Sequence, residues 1–134
     1  MLWGRRKRRV VRKRVTTVTK HYVANKEAAR SLVLARLAHF SQYYEVTWNR
    51  VAIRNQKRCW GSCSAKKNLN FNYKILFLPP HLADYIIVHE LCHLAELNHG
   101  SLFWSLVAEQ MPDYPKCIAE LHVIEKVPYS EQNL

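Results

Sequence analysis

Apolar residues in the first third of the chain recur at helical spacing. Ala29, Val33, Leu37, Phe40 and Tyr44 fall every three or four positions, so they share one face of a helix that runs to about Tyr44. Asn25 is the candidate N-cap, because its side-chain oxygen can accept from an orphaned N–H of the first turn. From Glu45 to Leu78 the period changes to two: Val51 and Ile53 sit between polar neighbours, and Leu69, Phe71 and Tyr73 alternate with Asn68, Asn70, Asn72 and Lys74. This predicts a small antiparallel sheet, with Lys66-Lys67-Asn68 near the turn that joins a strand at 59–64 to one at 69–75. Pro79-Pro80 then ends the strand and opens a helix, since the first turn has no use for the missing N–H. The helix extends to about Leu97, and Asn98 and Gly100 flank His99 in the turn that stops it. Ser101 is placed to cap a third helix over 102–111, ended by Pro112, and Asp113 to cap a fourth with the stripe Cys117, Ile118, Leu121 and Ile124.

A chain of 134 residues, half of them apolar and with few Gly or Pro, has the size and composition of one α+β domain, and excludes a low-complexity chain. Charge changes the picture at one end. Of the 21 basic residues, Arg5, Arg6, Lys7, Arg8, Arg9, Arg12, Lys13 and Arg14 crowd the start, and the other 13 face ten acidic residues. The net charge of +11 therefore belongs mostly to an arm, residues 1–19, ahead of a nearly neutral body, residues 20–134. Within the arm, Val15-Thr16-Thr17-Val18-Thr19 is β-prone and either adds a strand or stays part of the arm. The basic run is open to two readings, a nucleic-acid contact or a solvated tail.

No apolar signal core follows the basic start, so Cys59, Cys63, Cys92 and Cys117 are expected as free thiols in a reducing, cytoplasmic compartment. The longest apolar stretch, Leu82 to Leu97, is interrupted by Asp84, His89, Glu90, His93 and Glu96, which excludes a membrane span there.

Those interruptions carry the chemistry. His89-Glu90-Leu91-Cys92-His93 is an H-E-x-x-H pair: two histidines one helical turn apart reach one metal ion, with Glu90 beside them as the base for a metal-activated water. Tyr85, Ile86, Ile87, Val88, Leu91, Leu94, Ala95 and Leu97 make the helix apolar on most sides, and burying two histidines and a carboxylate without partners is expensive. A metal supplies the partner. The competing reading, solvent-facing histidines with Glu90 in a surface ion pair, needs a wider polar face than this helix has.

A catalytic zinc needs a third protein ligand and an open fourth position. Glu96, if the helix continues, lies about 10 Å of rise beyond His89 and cannot readily close a tetrahedron. His99 follows the helix end, where the turn can return its ring to the metal, and Glu96 is left as a hydrogen-bond partner to a ligand or an ordinary helix carboxylate.

Several separated motifs then coincide. Lys57-Arg58-Cys59-Trp60-Gly61-Ser62-Cys63-Ser64, the strand Asn68-Leu69-Asn70-Phe71-Asn72, Leu78-Pro79-Pro80, the run from His89 to Leu94, and Asn98-His99-Gly100-Ser101 with Phe103-Trp104 resemble the YgjP-like metallopeptidases, minimal zincins related to the SprT-like and Wss-type proteases. The resemblance spans roughly residues 20–125. It implies a compact zincin with a short sheet over the H-E-x-x-H helix, one zinc ion per chain, a downstream histidine as third ligand, and a peptide or protein substrate. The basic arm here stands where the family usually has a longer β-rich region.

Trp60-Gly61-Ser62 remains open between a strand edge that pairs with an extended substrate and a β-bulge beside a core tryptophan. His81 and Tyr73 are candidates to stabilise an oxyanion, and Phe103 and Trp104 are expected as core aromatics behind the site. The alternative function is a nucleic-acid-binding or regulatory protein with a structural zinc. A closed fourth ligand would mark that case, and the sequence offers none that is obvious.

Overall fold

A computed structural model of the chain describes residues 17–126. Helix α1 spans Thr17–Phe40 and is followed by a 3-10 turn at Ser41–Tyr43; strands β1 (Arg50–Arg54), β2 (Gly61–Cys63) and β3 (Asn68–Asn72) come next. A 3-10 turn at Tyr73–Phe77 then leads to helices α2 (Pro80–Ala95), α3 (Ser101–Gln110) and α4 (Tyr114–Glu125). The run 5–14 lies outside the described residues.

α1 buries the expected stripe: Ala29, Val33, Leu37 and Phe40, with Tyr44 beyond it. Its start differs from expectation. Asn25 is interior to the helix, where its Nδ2 donates to the carbonyl of His21 at 2.8 Å, and Thr17-Val18-Thr19 are helical despite their β propensity. Tertiary contacts hold these extra turns: the His21 ring nitrogen and the Tyr73 hydroxyl are 2.9 Å apart, and Tyr22 Oη donates to the carbonyl of Ile53 at 2.9 Å. Such contacts routinely override weak local preferences.

The sheet has the order β1-β3-β2, with β2 antiparallel to β3 but β1 parallel to it. The expected all-antiparallel sheet is thus half right. Alternation tells which side chains share a face and is silent on strand direction; the segment 55–67 supplies the dozen or so residues that a parallel crossover needs. Lys67, at φ 63°, makes the tight turn into β3. β3 stops at Asn72, earlier than its alternation suggests, because the Asn72 Oδ1 accepts from the Lys74 N–H and caps the 3-10 turn. The Asn72 Nδ2 also donates to the carbonyls of Gln56 and Cys59, which pins the loop leading into β2.

Leu69 and Phe71 of β3, Ile53 of β1 and Trp60 share one core with the α1 stripe and with α2. α2 is buried almost all round, from Leu82 to His93. Arg36 of α1 donates to both oxygens of Asp84 at 2.7 and 2.9 Å, which sets the two helices in register. Ser101 is the first residue of α3 with Gly100 as N-cap, and Asp113 precedes α4; neither Ser101 nor Asp113 makes a side-chain capping bond. No helix among the described residues is long and apolar enough to cross a membrane.

Candidate metal centre

α2 presents His89 and His93 one turn apart, both buried, and ends at Ala95, two residues before the expected stop. Glu96 leaves the helix with extended backbone, φ −139° and ψ 109°, so the chain turns back at once. That turn brings the exposed His99 over the pair, with its Nε2 2.8 Å from the Nε2 of His93. One ligand nitrogen from each of the three rings lies within 4.8 Å of the others. Three imidazoles around one ion at about 2.0–2.1 Å require a cluster of this size.

Hydrogen bonds fix two of the rings. His93 Nδ1 donates to the carbonyl of Glu96 at 2.9 Å, which leaves its Nε2 as the lone-pair face. Glu96 therefore touches the site through its backbone and not its carboxylate. His89 Nδ1 donates to Glu90 Oε1 at 3.0 Å, while His89 Nε2 and Glu90 Oε2 are buried without a hydrogen-bonding partner. Orphaned polar atoms of this kind are costly unless something else fills their valence, and a cation beside His89 Nε2 would do so. The residues fit a metal. Burial lowers the pKa of both His93 and His99, which keeps the rings neutral and able to coordinate at neutral pH.

Aromatic rings pack directly on the histidines. Phe103 stacks on His93, centroids 4.3 Å apart, and meets His89 edge-on at 5.1 Å. Trp104 lies 5.8 Å from His99 and stacks on Tyr114 at 4.9 Å. The expectation of core aromatics behind the site holds for Phe103, which is fully buried, whereas Trp104 is half-buried and packs against the core from its edge.

A cleft of about 200 Å³ opens over the cluster. β2 lines it with Gly61, Ser62 and Cys63; α2 with His89, Glu90 and His93; the following turn with Leu97 and His99. Trp60, grouped with Gly61 and Ser62 in the sequence reading, points instead into the core, where its Nε1 donates to Glu125 Oε1 at 2.9 Å. Gly61 does serve a close approach, though toward Glu90: a Cβ there would stand 3.0 Å from Glu90 Cγ and 3.1 Å from the Asn70 carbonyl oxygen. The absence of a side chain lets β2 pass over the carboxylate. Cys63 is a protonated thiol, its pKa pushed up to about 11 by burial first and by the Glu90 charge second. His81 and Tyr73 are elsewhere: His81 pairs with Glu120 at 2.7 Å on the surface, and Tyr73 is bonded to His21.

Glu125 escaped the sequence reading. It is buried, and burial raises its pKa. The signal was present: Cys117, Leu121 and Glu125 fall at intervals of four on the buried face, whereas Ile124, assigned to the stripe, is exposed. A carboxylate on an apolar stripe marks a polar partner within the core, here Trp60. The Asn72 N–H also bonds the Trp60 carbonyl at 2.8 Å, so Trp60 is held from two sides and Gly61 is seated over Glu90.

The fold and this site define a metallopeptidase. The model of the YgjP-like metallopeptidase domain matches residues 6–123, and the chain belongs to that family. Among solved structures it is similar to the crystal structure of the metallopeptidase zymogen abylysin of Pyrococcus abyssi, with 22% identity, TM-score 0.66, and coverage of 76% of this chain and 99% of that one. It is also similar to the zymogen of jannalysin from Methanocaldococcus jannaschii, with 27% identity, TM-score 0.52, and coverage of 74% and 96%. Among curated proteins none matches the sequence significantly.

Proposed function

We propose that the chain is a zinc peptidase in which His89, His93 and His99 hold the ion and Glu90 is the general base. The observation that carries this reading is the pairing, in one cleft, of three converging imidazoles with an unpartnered carboxylate oxygen, Glu90 Oε2. Three neutral nitrogen donors with room for a water are the ligand set of a catalytic zinc, and imidazoles also take other late first-row divalent ions. The chemistry such an ion supplies when bound is Lewis acidity, toward water and toward the carbonyl of a scissile amide.

The residues of the chain do the rest. Glu90 Oε1 is engaged by His89 Nδ1, so Oε2 is the oxygen that takes a proton from attacking water and returns it to the leaving amine. β2 is the sheet edge beside the cleft, and an extended peptide can lie along Gly61, Ser62 and Cys63 with its carbonyl aimed at the histidines. The structural-zinc alternative needs a fourth protein ligand, and the convergent group among the described residues has three members.

Glu90→Gln tests the assignment. Glutamine keeps the shape but cannot accept the proton, so the variant should keep its zinc stoichiometry and melting temperature while peptide hydrolysis falls by about 10² to 10⁴-fold. Undiminished turnover in a metal-replete variant would remove Glu90 from the mechanism.

The four free thiols fit the reducing, cytoplasmic compartment we propose for the chain. For the basic run Arg5 to Arg14 we propose contact with nucleic-acid phosphates, which would bring the peptidase to proteins bound there. Domain 20–134 would then carry the chemistry and the arm its delivery.

A further inference from the structure

Charge is divided along the chain between the segment that carries the sheet and the segment that carries the later helices. From Val46 to Ala83 the chain has seven basic residues, Arg50, Arg54, Lys57, Arg58, Lys66, Lys67 and Lys74, and no Asp or Glu. From Asp84 to Glu125 the balance reverses, with seven acidic residues and one lysine, Lys116. β2 lies within the basic segment, bracketed by Lys57-Arg58 before it and Lys66-Lys67 after it, all four exposed. Chain reach keeps Lys66 within about 11 Å of Cys63 and Lys57 within about 14 Å of Gly61.

We infer that the cleft takes peptides with acidic side chains on both flanks of the segment that lies along β2. This deepens the peptidase reading and rests on it. A peptide that runs a few residues beyond β2 at each end would carry its flanks toward the two basic pairs. Its centre faces Glu90, and Glu96 stands half-exposed on the far turn, so acid is favoured at the flanks and disfavoured over the histidines. A nucleic acid would also be drawn to these lysines. The acidic peptide is favoured because the charges bracket the one strand that lines the metal cleft.

The test uses the full-length, zinc-loaded Glu90→Gln chain and fluorescent peptides with a common neutral centre and acidic, neutral or basic flanks. Affinity is read by anisotropy at low and high salt. Exposed pairs of this kind are worth about two- to five-fold each, so acidic flanks should bind tighter than neutral ones by roughly that factor per charge, and the gap should shrink with salt. Adding Lys57→Glu and Lys66→Glu brings each pair to zero net charge and should abolish the preference for acidic flanks while affinity for the neutral peptide stays unchanged, which also shows that the variant is folded.

Equal affinities across the series, or no binding to any member, overturn the inference. A preference for acid that survives the double substitution assigns it to the N-terminal run and overturns it as well. A single-stranded oligonucleotide that binds more tightly than every peptide and loses that advantage in the double variant transfers the surface to nucleic acid. Wild-type hydrolysis is scored separately: cleavage without flank preference refutes this inference alone, and flank-dependent binding without cleavage refutes the peptidase reading alone.

Discussion

α1 and α2 are the two longest helices among the described residues, and they bury different things. α1 hides one stripe, Ala29, Val33, Leu37 and Phe40, and leaves most of its remaining surface to solvent. α2 is covered from Leu82 to His93 by neighbours on several sides, and its buried set includes His89, Glu90 and His93. A one-sided helix can turn any polar residue outward. A covered one cannot, so each polar group on it must find a partner inside. In α1 burial therefore reports packing, while in α2 it reports a site.

The largest expected effect separates ligands from neighbours. His99→Ala and His93→Ala should each weaken metal binding by more than the 10–100-fold typical of altering a group that merely supports a ligand. Glu96→Ala should change it little, because the contact to His93 comes from the Glu96 carbonyl, which alanine retains. Titration against a competing chelator decides this, and metal loss in Glu96→Ala with retention in His99→Ala would reverse the assignment.

Leu37→Ala is the counterpart in α1. It leaves a cavity in the core and should cost about 2–5 kcal/mol in denaturant unfolding while metal affinity stays unchanged. If Leu37→Ala lowered metal affinity as the histidine variants do, the division of labour between the two helices would fail.

Gly61→Ala probes the contact between β2 and α2. The new methyl must displace Glu90 Cγ or the strand, so kcat should fall about tenfold, short of the roughly 10²-fold of a 1 Å misplacement, with zinc stoichiometry intact. A wild-type kcat would show that the carboxylate has slack there.

The smallest effect concerns Glu125. Its folded-state pKa is raised by burial, so the carboxyl's contribution to stability is fully present below its unfolded pKa, near 4.3–4.5, and is lost as pH rises through the folded value. Glu125→Gln keeps an acceptor for the Trp60 N–H without the charge. The variant should melt a few degrees above wild type at about pH 7, with the gap closing toward about pH 4. A gap that widens on acidification would contradict the raised pKa.

How much of this was legible follows from the kind of pattern each feature leaves. The α1 stripe, the positions of three strands, the proline start of α2 and the H-E-x-x-H pair all declare themselves through spacing within one element. His99 was legible because a helix stop beside Asn98 and Gly100 limits where the next residue can go. The start of α1 was not, since Tyr73 and Ile53, far along the chain, hold its first turns. Nor was the parallel pairing of β1 with β3, for side-chain alternation is the same in either direction.

The sequence by itself determined the family and the α+β class, and singled out the three histidines and the glutamate proposed for the site, because each is written in residue types at fixed short separations. Only the tertiary structure decided that Trp60 belongs to the core, that Gly61 is the residue lying over Glu90, and that Glu125 of α4 holds Trp60 from the far end of the chain. Those relations join residues about 30 to 65 positions apart. Periodicity within an element cannot encode them, since it says which face a residue occupies and nothing of what will be packed against it.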